Sequence, residues 1–116
     1  MKKNVAAFIL AIVLGFATQG TLLAGNFSGE WRIYWSNMTA NNMNLKADNA
    51  SLVGTYINDL GKECQVTGSS NGDLVSFVIR CQKWQVNCSG ELASTGAVEG
   101  TFQMDDGTSG AFQMLR

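Results

Sequence analysis

At 116 residues the chain is sized for a single domain, and only 15% of its residues are charged, with a formal net charge of −1. That balance lacks the clustered Lys and Arg on which binding to a phosphate backbone depends, so no nucleic-acid partner is expected. The absence of His removes the commonest general base and the commonest zinc ligand, and the absence of Pro suits uninterrupted sheet.

The first predicted element is a leader over residues 1–25. Lys2 and Lys3 make a positive start, the run from Val5 to Phe16 is apolar and broken only by Gly15, and small and polar residues follow. That is the form of a secretory signal peptide. The run is short of the ~20 residues of a membrane span, so no stable membrane insertion is expected after cleavage. Leu22-Leu23-Ala24-Gly25 would read as a lipoprotein box if a Cys followed, but Asn26 follows. The expectation is cleavage after Ala24 or Gly25 and a mature domain over 26–116, secreted or periplasmic. Without Lys2 and Lys3, six basic residues remain against nine acidic, a net charge of −3.

The mature chain reads as strands separated by Gly, Asn, Asp and Ser clusters. Eight are predicted: 29–35, 43–47, 52–57, 63–67, 74–81, 85–93, 97–104 and 109–115. The breaks include Asn41-Asn42, Asp48-Asn49, Asn58-Asp59-Leu60-Gly61, the segment 69–72 and Asp105-Asp106-Gly107. Several strands alternate with a period of two. Trp31, Ile33 and Trp35 oppose Arg32 and Tyr34; Val75, Phe77, Ile79 and Cys81 oppose Ser76, Val78 and Arg80. One dry face and one wet face mark an antiparallel sheet. Gly-x-apolar recurs at Gly29-Glu30-Trp31, Gly54-Thr55-Tyr56, Gly90-Glu91-Leu92, Gly100-Thr101-Phe102 and Gly110-Ala111-Phe112, each time with the glycine on the dry face. Inner-face glycines let strands coil hard enough to close a barrel. The predicted fold is all-β, a small antiparallel up-and-down barrel of about eight strands, with a two-sheet β-sandwich as the alternative.

Three cysteines in an exported chain point to one structural disulfide and one spare thiol. Three thiols without His, at spacings of no zinc signature, give no metal site and no cofactor. In the meander all three fall at one end with inward parity. Only adjacent strands reach disulfide distance, which disfavours Cys64–Cys88. Cys64–Cys81 is preferred, with Cys81–Cys88 the alternative.

A Gly-x-Trp on the first strand followed by an antiparallel meander resembles the calycin group of lipocalins, fatty-acid-binding proteins and avidins. In that group a basic residue of the last strand packs over the first-strand Trp, which implies that Arg116 meets Trp31 in a structural role. "SGEWRIYWSNMT" from Ser28, "LVGTY" from Leu52 and "VNCSGEL" from Val86 are similar to avidin-like strands. Of the residues that hold biotin in avidins, Tyr56 matches the ligand Tyr, and Ser36 or Asn37 stands near the ligand Ser. Ile33 occupies the position of the ligand Asn. The resemblance therefore implies the barrel but not biotin binding.

The predicted inward set, including Trp31, Ile33, Tyr56, Phe77, Phe102 and Phe112, is rich in aromatics and nearly free of polar groups. A barrel of eight strands is filled by such side chains or holds one small ligand. A continuous void of ~300 Å³ or more supports a ligand site, and a solid interior excludes one. The candidate ligand-binding residues are Trp35, Tyr56 and Trp84, at the rim. No catalytic residues are assigned: Asp105-Asp106 reads as a hairpin turn, and acid–base partners are lacking. The functional expectation is a non-catalytic, exported binding protein with a small apolar ligand at one mouth. The alternative is a module that binds an envelope or extracellular protein through barrel-end loops, in the manner of small periplasmic inhibitors.

Overall fold

Period-two alternation carries through every strand and closes them into one barrel. The computed structural model describes residues 27–116; the expected leader over 1–25 lies outside the described residues. The strands are β1 (Gly29–Trp35), β2 (Ala40–Asp48), β3 (Ser51–Ile57), β4 (Glu63–Asn71), β5 (Leu74–Arg80), β6 (Gln85–Leu92), β7 (Val98–Met104) and β8 (Ser109–Leu115). Each pairs antiparallel with the next, and β1 pairs with β8 to seal the cylinder. The sandwich alternative is thereby excluded. The closing seam pairs Arg32–Trp35 with Phe112–Leu115, so neither end strand is left as a free edge along its whole length.

Two strands run further than their sequence suggests. β2 begins at Ala40 rather than residue 43, because Asn41-Asn42 is strand and not a break. Both side chains have partners. Asn42 accepts from Arg32 Nη1 at 2.8 Å on the outer face, and Asn41 turns inward. Packing and hydrogen bonding override the poor strand propensity of Asn. β4 continues to Asn71 rather than residue 67, since Asn71 pairs with Leu74 and only Gly72 and Asp73 form the turn. Gly72, at φ 64°, supplies the left-handed conformation such a two-residue hairpin needs.

The recurrent Gly-x-aromatic unit has a cross-strand explanation. In the β7–β8 pair, Gly100 lies opposite Phe112, and Phe102 lies opposite Gly110. Gly110 leaves room for the Phe102 ring across from it, and Gly90 for the Phe112 ring, whereas Gly100 lets the β6 backbone approach. A Cβ on Gly110 would stand 2.9 Å from the Phe102 ring, and one on Gly90 would stand 3.2 Å from the Phe112 ring. The bare inner backbone is thus covered by aromatic faces, which permits tight curvature without a void.

One end of the barrel is plugged. Phe27 is fully buried there, and its carbonyl accepts from Trp31 Nε1 at 3.0 Å. The Arg116 guanidinium lies 4.1 Å from the Trp31 ring centroid, and its Nη1 donates to the Ser28 carbonyl at 2.9 Å. Arg116 thus ties the last residue of the chain to the start of β1, combining a cation–π contact with a charge-assisted hydrogen bond. Trp31 and Arg116 belong to the closed end, far along the strands from Trp35.

Cys64 and Cys81 form a disulfide with Cα atoms 4.7 Å apart. They extend the β4–β5 ladder by one rung beyond Gln65–Arg80 and staple it. The alternative Cys81–Cys88 pairing fails on register. The short turn after β5 pairs Arg80 with Gln85, so Cys88 falls opposite Phe77. Four residues of strand, about 13 Å, separate Phe77 from Cys81.

Cys88 is a buried free thiol whose pKa is pushed from 9.0 up to about 12 by desolvation. Because only the thiolate reacts readily, native protein at pH 8 is expected to gain no mass from iodoacetamide over hours and one adduct in denaturant. Rapid labelling of folded protein would contradict this placement. The sign of the pH effect follows from the raised pKa. The neutral thiol is favoured by folding, so its contribution is complete below about pH 9 and is lost as pH rises towards about 12.

Candidate ligand site at the open mouth

The other end of the barrel is open. Here gather the loops 36–39, 58–62, 81–84 and 105–108 together with the disulfide. A cavity of about 240 Å³ opens among them, walled by Trp35, Tyr56, Trp84 and Phe102. All three rim residues expected from sequence line this one cavity. Below it the interior is filled by buried Ile33, Phe77, Ile79 and Met114. The void is therefore a half-depth cup rather than a channel, and it lies below the ~300 Å³ typical of sites for drug-sized ligands. A larger depression, of about 470 Å³, lies beside Tyr34, Glu99 and Gln113 over the β1–β8–β7 surface.

The rings stand nearly perpendicular to one another. Trp35 meets Tyr56 at 6.1 Å and 73°, and Phe102 at 5.0 Å and 86°. Tyr56 meets Trp84 at 6.2 Å and 85°. Edge-to-face contacts of this kind are mutually stabilising and hold the walls in place.

A polar chain runs along one wall. Trp35 Nε1 donates to both Asn41 Oδ1 and Tyr56 Oη, each at 3.2 Å. Asn41 Nδ2 donates to the Ile57 carbonyl at 3.1 Å and to Asp59 Oδ1 at 2.8 Å. The Asp59 loop is itself held by Asn58, whose Oδ1 accepts from the backbone N–H groups of Leu60 and Lys62, both at 2.9 Å. Burial pushes the Tyr56 phenol from 10.0 up to about 12; the Trp35 hydrogen bond opposes the shift and the Asp59 charge adds to it. Tyr56 is thus a neutral hydroxyl across the physiological range.

Asn41 and Asp59 are the site residues that sequence reasoning missed. The expectation of an interior nearly free of polar groups is corrected by Asn41, and by Ser70 near the closed end, both buried. Asn41 shares parity with Met43 and Leu45, a signal hidden by reading Asn41-Asn42 as a turn. Asp59 had no local signal, since a loop of turn residues does not show which side chain faces the mouth. Of the positions compared with avidin-like strands, Asn37 and Tyr56 line the cup. Ile33 is sealed in the core, and Ser36 Oγ accepts from the Ala111 N–H at 3.2 Å, away from the cup. Asp105 and Asp106 sit in the β7–β8 turn, where hydrogen bonds from Thr108 hold the Asp106 carboxyl below its usual range.

Comparison of the chain with protein-family models, with curated proteins and with solved structures finds no match. The reading therefore stands on the geometry of the mouth.

Proposed function

We propose that this is an exported, non-catalytic binding protein that holds a small molecule in the open mouth of the barrel. The observation that carries the reading is the Trp35–Asn41–Asp59 hydrogen-bond chain beside an open cup with aromatic walls. Apolar walls supply affinity and a few converging polar groups fix orientation, the usual division of labour in a ligand site. The polar wall adds a hydrogen-bonding requirement to the apolar guest expected from sequence. The disulfide fits an oxidising compartment, periplasmic or extracellular. Among the described residues no helix is long and apolar enough to cross a membrane.

A second reading has its own observation. Met38 is 94% exposed and Leu60 is 82% exposed, each near the tip of a mouth loop. Apolar side chains presented this way suit contact with an envelope or extracellular protein, and Met adapts readily to a partner surface.

Native mass spectrometry of protein purified from its own host separates the two readings. The first predicts a retained low-mass ligand that is lost in Trp84→Ala; the second predicts a stoichiometric protein partner that is lost when Met38 and Leu60 become Ser. If no low-mass species is retained and no fragment of a small-molecule library shifts the Trp35 and Trp84 indole NMR signals, the ligand reading fails.

A further inference from the structure

Resting on that reading of the mouth as a ligand site, we infer that the cup takes a small alkylammonium ion, its charged head seated against the rings of Trp35, Tyr56, Trp84 and Phe102 and neutralised by Asp59. The first support is the composition of the walls. Four aromatic side chains line one small cavity, and the negative faces of aromatic rings attract a cation held within about 6 Å of a centroid. Neutral apolar ligands gain nothing from that quadrupole.

The second support is the hydrogen-bond inventory. The N–H donors of the polar wall are already engaged within the protein: Trp35 Nε1 by Asn41 and Tyr56, and both hydrogens of Asn41 Nδ2 by Ile57 and Asp59. Thr39 Oγ1 likewise donates to Asn37 Oδ1 at 2.7 Å. Beside these engaged donors the wall keeps acceptor capacity, above all the second Asp59 oxygen, and the remaining lone pairs of Asn41 Oδ1 and Tyr56 Oη. A carboxylate on the wall, with one oxygen still open, favours a ligand that brings positive charge or N–H groups of its own. An anion would be repelled by Asp59.

The third support is the charge around the opening. The mouth loops carry Asp59, Asp105 and Asp106 against Lys62 and Lys83, and of these charged residues only Asp59 lines the cup. An excess of negative charge at the rim raises the local concentration of cations. The cup's volume of about 240 Å³ suits a compact head group rather than a large amphiphile.

The test compares choline with its neutral carbon isostere, 3,3-dimethylbutan-1-ol, by indole NMR titration of Trp35 and Trp84, with Trp31 at the closed end as internal control. Choline is expected to shift both mouth indoles and leave Trp31 unmoved, and to bind at least about tenfold more tightly than the isostere. Asp59→Asn keeps the side-chain shape and an acceptor for Asn41; it is expected to weaken choline about fivefold or more and the isostere by a much smaller factor. Equal affinity for the two probes, or indifference of choline to Asp59→Asn, would overturn the cation assignment yet leave the mouth as a ligand site. If neither probe binds while neutral library fragments shift the mouth indoles, the cation assignment again falls alone. If nothing shifts them, the site reading falls and takes this inference with it.

Discussion

Gly100→Ala is expected to destabilise the fold by about 3 kcal/mol or more, a drop in Tm of roughly 12–24 °C for a domain of this size. The added Cβ would lie 2.0 Å from the Ser89 carbonyl oxygen and 2.6 Å from the Gly90 Cα. Both obstacles are backbone of the adjacent strand, so no side chain can swing aside. Relief requires the β6–β7 ladder to part at the point where Gly90 and Gly100 face each other. Gly96→Ala is the informative contrast. Gly96 has nothing within 4 Å of its would-be Cβ but sits at φ +93°, so its substitution should cost only the ~1–2 kcal/mol of left-handed strain. Thermal melts of the two variants check the argument, and a Gly100→Ala variant no less stable than Gly96→Ala would refute it.

Removing the disulfide with the double variant Cys64→Ser/Cys81→Ser is expected to cost about 3 kcal/mol. The bridge closes a loop with a sequence separation of 17, and that is the loss of unfolded-state restriction a loop of this length implies. The double variant is preferred to either single one because it leaves no exposed thiol to pair with Cys88 after unfolding. Beyond stability, the bridge sits at the mouth between loop 58–62, which carries Asp59, and loop 81–84, which carries Trp84. Amide hydrogen exchange is therefore expected to rise at those two loops more than at the plugged end. Denaturant titration measures the first effect. Uniform exchange along the barrel would show that the bridge does not brace the cup.

Much of the fold was legible because a half-buried strand writes its environment into every second residue. β1 and β8 have the predicted bounds, and Trp31, Ile33, Phe77 and Phe112 lie inside as their parity requires. The preferred disulfide also followed from parity and strand adjacency. Misreadings fell where composition and context disagree. Asn41-Asn42 and the Gly68-Ser69-Ser70-Asn71 run have turn-like composition, yet β1 supplies partners for the first and β3 and β5 for the second, which draws them into the ladder.

The sequence by itself determined the class of structure: alternation set the inward face, inner glycines permitted closure, and the aromatic rim residues Trp35, Tyr56 and Trp84 were visible as a set. Those features are local, since each depends on a residue and its near neighbours along one strand. Only the tertiary structure decided that β1 meets β8, that one end is plugged by Phe27 while the other stays open, and that Asn41 and Asp59 stand together beside Trp35. Asn41 and Asp59 are 18 residues apart and come from a strand and a loop. Their meeting is a product of register and barrel curvature, which arise from the whole sheet and are written in no single segment.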